Sequence, residues 1–142
     1  MWADSLLQAE RLHLLRLTVW GAACVILGAS LLIIVMVRRA RLPLLRHFAL
    51  QTAAWGAVNL AIVGWARAHL GMRDLAGATQ LDRLLWLNAG LDVGYVAVGV
   101  TLAWAGWALG RRLGAVGAGL GVIVQGAALL ALDARFMSQV VR

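Results

Sequence analysis

An all-α fold is what this sequence predicts, an integral membrane bundle of four helices running up-down-up-down. Three observations carry that prediction. The chain is 63% hydrophobic and 13% charged over 142 residues, more apolar surface than a soluble domain of that length can hide. Its charges fall between four long runs that carry almost none, each about the length that crosses the ~30 Å hydrocarbon core of a bilayer. The connections between the runs are short to moderate, which makes consecutive helices antiparallel neighbours in a single domain spanning 1–142.

The elements follow in order. Residues 1–16 are loosely amphipathic, with Ser5 and Gln8 at capping-box spacing, and read as an interfacial turn or two of helix. Leu17 to Val37 is then uncharged for 21 residues and is stopped by Arg38, Arg39 and Arg41, too long a run for the apolar part of a signal peptide. Pro43 ends any helical continuation and marks the turn. The second span covers about 46–69, and a loop from Leu70 to Thr79 holds Gly71 and Gly77. Thr79 and Asp82 then offer a start for the third helix, whose span covers about 84–109. Gly110, Arg111 and Arg112 make a tight connection to the fourth span, about 113–132, and a short tail closes the chain.

Charge sets the expected orientation and excludes several functions. There are 13 basic residues, all arginine, against six acids, for a net charge of +7. Most arginines sit at the ends of apolar runs, where topology signals and phospholipid contacts belong, so nucleic acid is not an expected partner. Arg38, Arg39, Arg41, Arg46, Arg111 and Arg112 occupy the first and third connections without an acid. Those loops are expected in the cytoplasm, gripping anionic lipid headgroups, with both termini outside. A bacterial cytoplasmic membrane is the expected location. Trp20, Trp65 and Trp86 fit an outer interfacial belt, Trp104 and Trp107 an inner one. The lone cysteine, Cys24, excludes paired-cysteine disulfide exchange.

Polar residues inside the spans fall on shared faces. Gln51, Trp55 and Asn59 are four apart in the second span; Asn88, Asp92, Tyr95 and Gly99 fall at i, i+4, i+7 and i+11 in the third. Gly114, Gly117, Gly121 and Gln125 line one stripe of the fourth, with Asp133 nearly in line beyond them. These positions predict a polar track along one side of the bundle axis. Asp92 stands out, because an acid at such depth costs roughly 2.5–3.5 kcal/mol on insertion scales. It needs a proton, a ligand, or an outer-end arginine such as Arg16, Arg67 or Arg135.

Bland explanations compete with functional ones. Polar side chains glue membrane helices together, and Gly90 with Gly94, or Gly117 with Gly121, has the spacing that lets helices approach closely. The seven tryptophans are covered by the belts and the N-terminal segment except for Trp55, which either packs the core or walls a pocket. His47 and His69 lie 22 residues apart along one span, or ~33 Å, and cannot share a haem iron. His13 and His69 lie near the interface, where histidines are usually solvated, and no ligand-spacing signature joins them to Asp74, Asp82 or Asp133. No cofactor and no metal is expected. Catalytic motifs are absent as well, so an enzyme is disfavoured.

The segments Leu87–Gly99, Trp55–Leu60, Gln125 with Gly126, and Leu132 with Asp133 resemble the hallmark segments of an uncharacterised family of small bacterial four-helix membrane proteins. The resemblance implies the four-span fold and no activity, and its motif residues coincide with the polar track. Small multidrug exporters are similar in size and span number, but they carry their essential acid in the first span, which here has none.

Two functions follow as expectations. The first is a binding or transport-like protein whose outward-opening pocket takes a small polar or amphiphilic ligand. Asp92 is its centre, with Asn88, Tyr95, Asn59, Gln125, Trp55 and Gln51 around it. The second is a structural or accessory subunit that packs through its glycine and polar faces against a second copy or a partner membrane protein.

Overall fold

The computed structural model describes residues 2–39 and 41–140; Met1 and Arg142, counted above with the terminal segments, lie outside them. Four helices account for the fold: α1 (Trp2–Val37), α2 (Pro43–Ala68), α3 (Leu75–Ala108) and α4 (Leu113–Val140). No strand occurs among the described residues. All four are long and apolar enough to cross a membrane.

The helices exceed the predicted spans, and the excess is informative. α1 has 36 residues and α3 has 34, each longer than a ~30 Å core requires at ~1.5 Å per residue. The N-terminal segment and the C-terminal tail are therefore continuous with the spans. Ser5 is an interior helical residue whose hydroxyl donates to the Trp2 carbonyl, not a cap. The overhanging ends of α1, α3 and α4 pack Leu6, Ala9, Leu81, Leu85 and Phe136 into a small apolar cluster, a cap at the end of the bundle that carries both termini.

Two boundaries differ from expectation for local reasons. Pro43 does not lie in the turn but opens α2, a position where its missing N–H is no loss. α3 starts at Leu75 rather than near Thr79, because Asp74 caps it by accepting from the Gly77 N–H at 2.8 Å. The turn into α4 needs left-handed backbone: Gly110 has φ +91° and Arg111 +52°.

Packing makes α4 the hub. It lies against α2, α3 and, over a shorter stretch, α1, while α1 and α2 form the other close pair. Among the described residues, no α3 Cα comes within 8 Å of one in α1 or α2. Glycines allow α4 to be gripped from both sides. A side chain at Gly117 would run into the Leu44 carbonyl of α2, and one at Gly119 would sit 2.6 Å from the Gly99 carbonyl of α3. Gly90 and Gly94 are different: a side chain at either would meet nothing within 4 Å, so that pair faces outward instead of sealing a seam. The separation of α2 from α3 leaves a gap between them.

Candidate functional site

That gap is a cavity of about 220 Å³ to which every helix contributes. α2 provides Trp55, Asn59 and Ile62; α3 provides Asn88, Leu91, Asp92 and Tyr95; α1 adds His13 and Leu17, and α4 adds Leu129 and Asp133. The Trp55 and Tyr95 rings meet edge-to-face at 4.9 Å, bridging α2 and α3 at the end of the cavity farther from the termini. The end nearer the termini is closed by His13, whose Nε2 lies 3.4 Å from Asp133 Oδ1 and whose ring stacks on Phe136 at 4.5 Å. Ile62, Asn88 and Leu91 are exposed and leave the cleft open on its flank.

The charges are poorly satisfied. Asp92 is 4% exposed, and its Oδ2 has no hydrogen-bond partner. Nor does the buried His13 Nδ1. Of the arginines considered as partners for Asp92, Arg67 donates instead to the Thr18 hydroxyl at 3.1 Å, and Arg16 and Arg135 line a different hollow. No hydrogen bond or ion pair links any of them to Asp92. An unpaired buried carboxylate is costly, and protonation or a bound cation removes that cost.

Gln125 and Gln51 lie elsewhere. Gln125 is 1% exposed, and both its oxygen and its nitrogen have partners. Its Oε1 accepts from the Trp20 indole N–H at 3.0 Å and more weakly from Asn59 Nδ2 at 3.5 Å, while its Nε2 contacts Cys24 Sγ at 3.1 Å. Trp20 is half-buried and tied into the bundle by that bond. Gln51 packs against Gly121, inward of the cavity. The six arginines of the first and third connections are exposed at the end opposite the cap, with Arg111 lying over the Trp107 ring at 4.7 Å.

His13 is the residue the sequence reading misplaced. It is buried, not solvated, because α1 is one continuous helix from Trp2 and buries Leu6, Ala9 and His13 on one face. The spacing of those three was the available signal. A second unanticipated tie is the pair formed by Arg73 and Glu10, with Nε to Oε1 at 2.7 Å and Nη2 to Oε2 at 3.1 Å. It fastens the α2–α3 loop to α1, and the hydrogen bond to Glu10 raises the Arg73 pKa above its ordinary value. His47 and His69 are exposed, each ring Nδ1 beside a carbonyl of its own helix. Among the described residues, no three His, Cys, Asp or Glu side chains are placed to hold a metal ion.

Fold and site together define a class: a small multi-pass membrane protein, a four-helix bundle with a buried polar cleft. Over residues 16–134 the sequence matches the Family of unknown function (DUF6992), and the chain belongs to that family. No curated protein and no solved structure matches it.

Proposed function

We propose that this protein binds, and in a transport-like cycle passes on, a small organic cation held in the cleft between α2 and α3. The observation that carries the reading is the Asp92 carboxylate, buried on the cavity wall with an oxygen that no protein group satisfies. Asp133 adds a second acid at the outer end. Trp55 and Tyr95 add ring surface at the inner end, and aromatic surface attracts ammonium groups. The volume of about 220 Å³ lies below the ~300–1,000 Å³ of drug-sized sites, which favours a compact solute. Access is from the flank, past Ile62 and Leu91, since buried His13 and Asp133 close the outer end.

In this reading the arginine-rich connections face the cytoplasm of a bacterial cell and hold anionic headgroups, with both termini outside. Cysteines introduced at Ser138 and Arg112 test that orientation by labelling from either side of sealed vesicles. The binding test is calorimetry on the full chain in nanodiscs with tetramethylammonium and methylammonium as probes. Saturable binding that Asp92→Asn removes and Asp82→Asn keeps supports the reading; no saturable binding of either probe sinks it.

One observation favours the rival reading of an accessory subunit. Gly90 and Gly94 lie one turn apart on the outer surface of α3 with nothing against them, and small residues at that spacing let a helix of another chain approach closely. Chemical cross-linking of Gly90→Cys in membranes distinguishes the two: disulfide-linked dimers support association through α3.

A further inference from the structure

A second hollow lies between α1 and α4 and shares no lining residue with the Asp92 cavity. It is a groove of about 560 Å³ bordered by Leu15, Val19, Trp20, Ala23, Ala128, Ala131 and Leu132, with Arg16 and Arg135 as its only charged members. The two arginines are at one end. On α1, Val19 and Ala23 follow Arg16 by one and two turns towards the bundle centre; on α4, Leu132 and Ala128 precede Arg135 in the same way. The groove is thus cationic at the terminus-bearing end and apolar below it.

Depth makes that division meaningful. Arg16 immediately precedes the uncharged run beginning at Leu17, and Arg135 follows the run that ends at Leu132. Both guanidinium groups therefore belong where the hydrocarbon core gives way to headgroups. Arg16 Nη1 is buried and has no hydrogen-bond partner, an omission that is expensive for a charged donor. No carboxylate lines the groove among the described residues, so neither guanidinium has an acid of the groove wall to pair with. The wall is fixed, since the Trp20 indole is anchored to Gln125. Alanines at 23, 128 and 131 leave the floor shallow enough for an alkyl chain to lie on.

We propose that this groove holds one anionic phospholipid, its phosphate between Arg16 and Arg135 and one acyl chain along Val19, Ala23 and Ala128. The arginines act as paired donors to phosphate oxygens, a geometry guanidinium groups suit. The site is independent of the solute cavity and stands whether or not Asp92 binds a cation.

Native mass spectrometry of the full chain tests it, with phosphatidylglycerol, phosphatidylcholine and inorganic phosphate as separate probes. Wild-type protein is expected to retain one phosphatidylglycerol in preference to phosphatidylcholine. Arg16→Gln and Arg135→Gln should each lower retention about fivefold, on the scale of one basic residue at an anionic surface. Ala131→Phe, which keeps both charges but fills the groove, should also lose the lipid. Arg83→Gln, exposed on α3 and outside the groove, should keep it. Unchanged retention in the doubly substituted Arg16→Gln, Arg135→Gln protein overturns the proposal, as does equal retention of phosphatidylcholine. Displacement of the lipid by millimolar inorganic phosphate also overturns it, by showing a site for the free anion.

Discussion

Two polar groups of residues lie side by side in this bundle, with the Asp92 backbone against Gly126, the neighbour of Gln125, and are built on opposite principles. Around Gln125, the Trp20 indole and the Asn59 amide donate to its oxygen, its nitrogen donates to the Cys24 sulfur, and its side chain is sealed from outside. Around Asp92, an acid of comparable burial keeps an oxygen without a partner, beside a cavity and near a second acid. Polarity within a membrane bundle therefore does not by itself mark a binding site. What separates the two is satisfaction: a closed network stabilises and orients helices, whereas an open one is left for something that is not part of the chain. Asn59 belongs to both, with its amide on Gln125 and its side chain on the cavity wall.

The comparison can be broken experimentally. Asp92→Asn should reduce organic-cation affinity by ~30-fold or more, the scale of removing one member of a buried charge pair. It should leave thermal unfolding in detergent unchanged or slightly later, because an unpaired acid has gone. A binding isotherm like that of wild type would erase the distinction between the two regions. Gln125→Leu should do the reverse, costing about 1–3 kcal/mol by stranding the Trp20 and Asn59 donors, with cation affinity within about threefold of wild type, a shift of under ~1 kcal/mol. The measurement is a denaturation midpoint beside the same calorimetric titration.

Smaller effects sharpen the boundary of the cavity. Trp55→Leu keeps the wall apolar but removes ring electrons. It should weaken tetramethylammonium by about tenfold or less, consistent with a cation–π contribution of ~0.5–2 kcal/mol. If affinity for methylammonium falls less, the ring is reading alkylated nitrogen. Arg73→Gln frees the α2–α3 loop from Glu10 and should lower stability by about 1 kcal/mol or less, since the guanidinium is partly exposed. Amide hydrogen exchange confined to residues near 70–76 would register it. Asn88→Ala, at an exposed rim position, should shift either quantity by no more than ~0.5 kcal/mol.

Much of the architecture was legible because lipid leaves a chain few options. With no water to satisfy backbone groups, apolar runs of this length become helices, and short connections make them antiparallel. The face shared by Asn88, Asp92 and Tyr95 was readable for the same reason: a helix's 3.6-residue period is known in advance, and all three line the cavity. The limits of the helices were less legible. Asp74 rather than Thr79 starts α3 through one side-chain hydrogen bond, and both residues are acceptable caps by type. His13 illustrates the other limit, because its burial depends on α4 extending to Phe136, far away in sequence.

The sequence alone thus determined the four helices, the end at which arginines crowd, and which polar residues share a face, since each is a local consequence of composition and period. Which of those residues became a site was decided by tertiary structure. Gln125 lies on the face predicted for the polar track, yet it turns to Trp20 and Cys24 because α1 packs against α2 and α4. Asp92 faces an opening because the α3 backbone packs closely only on α4 and stands off from that of α2. Helical period assigns a residue to a face; only the pairing of helices decides whether that face meets a partner or a void.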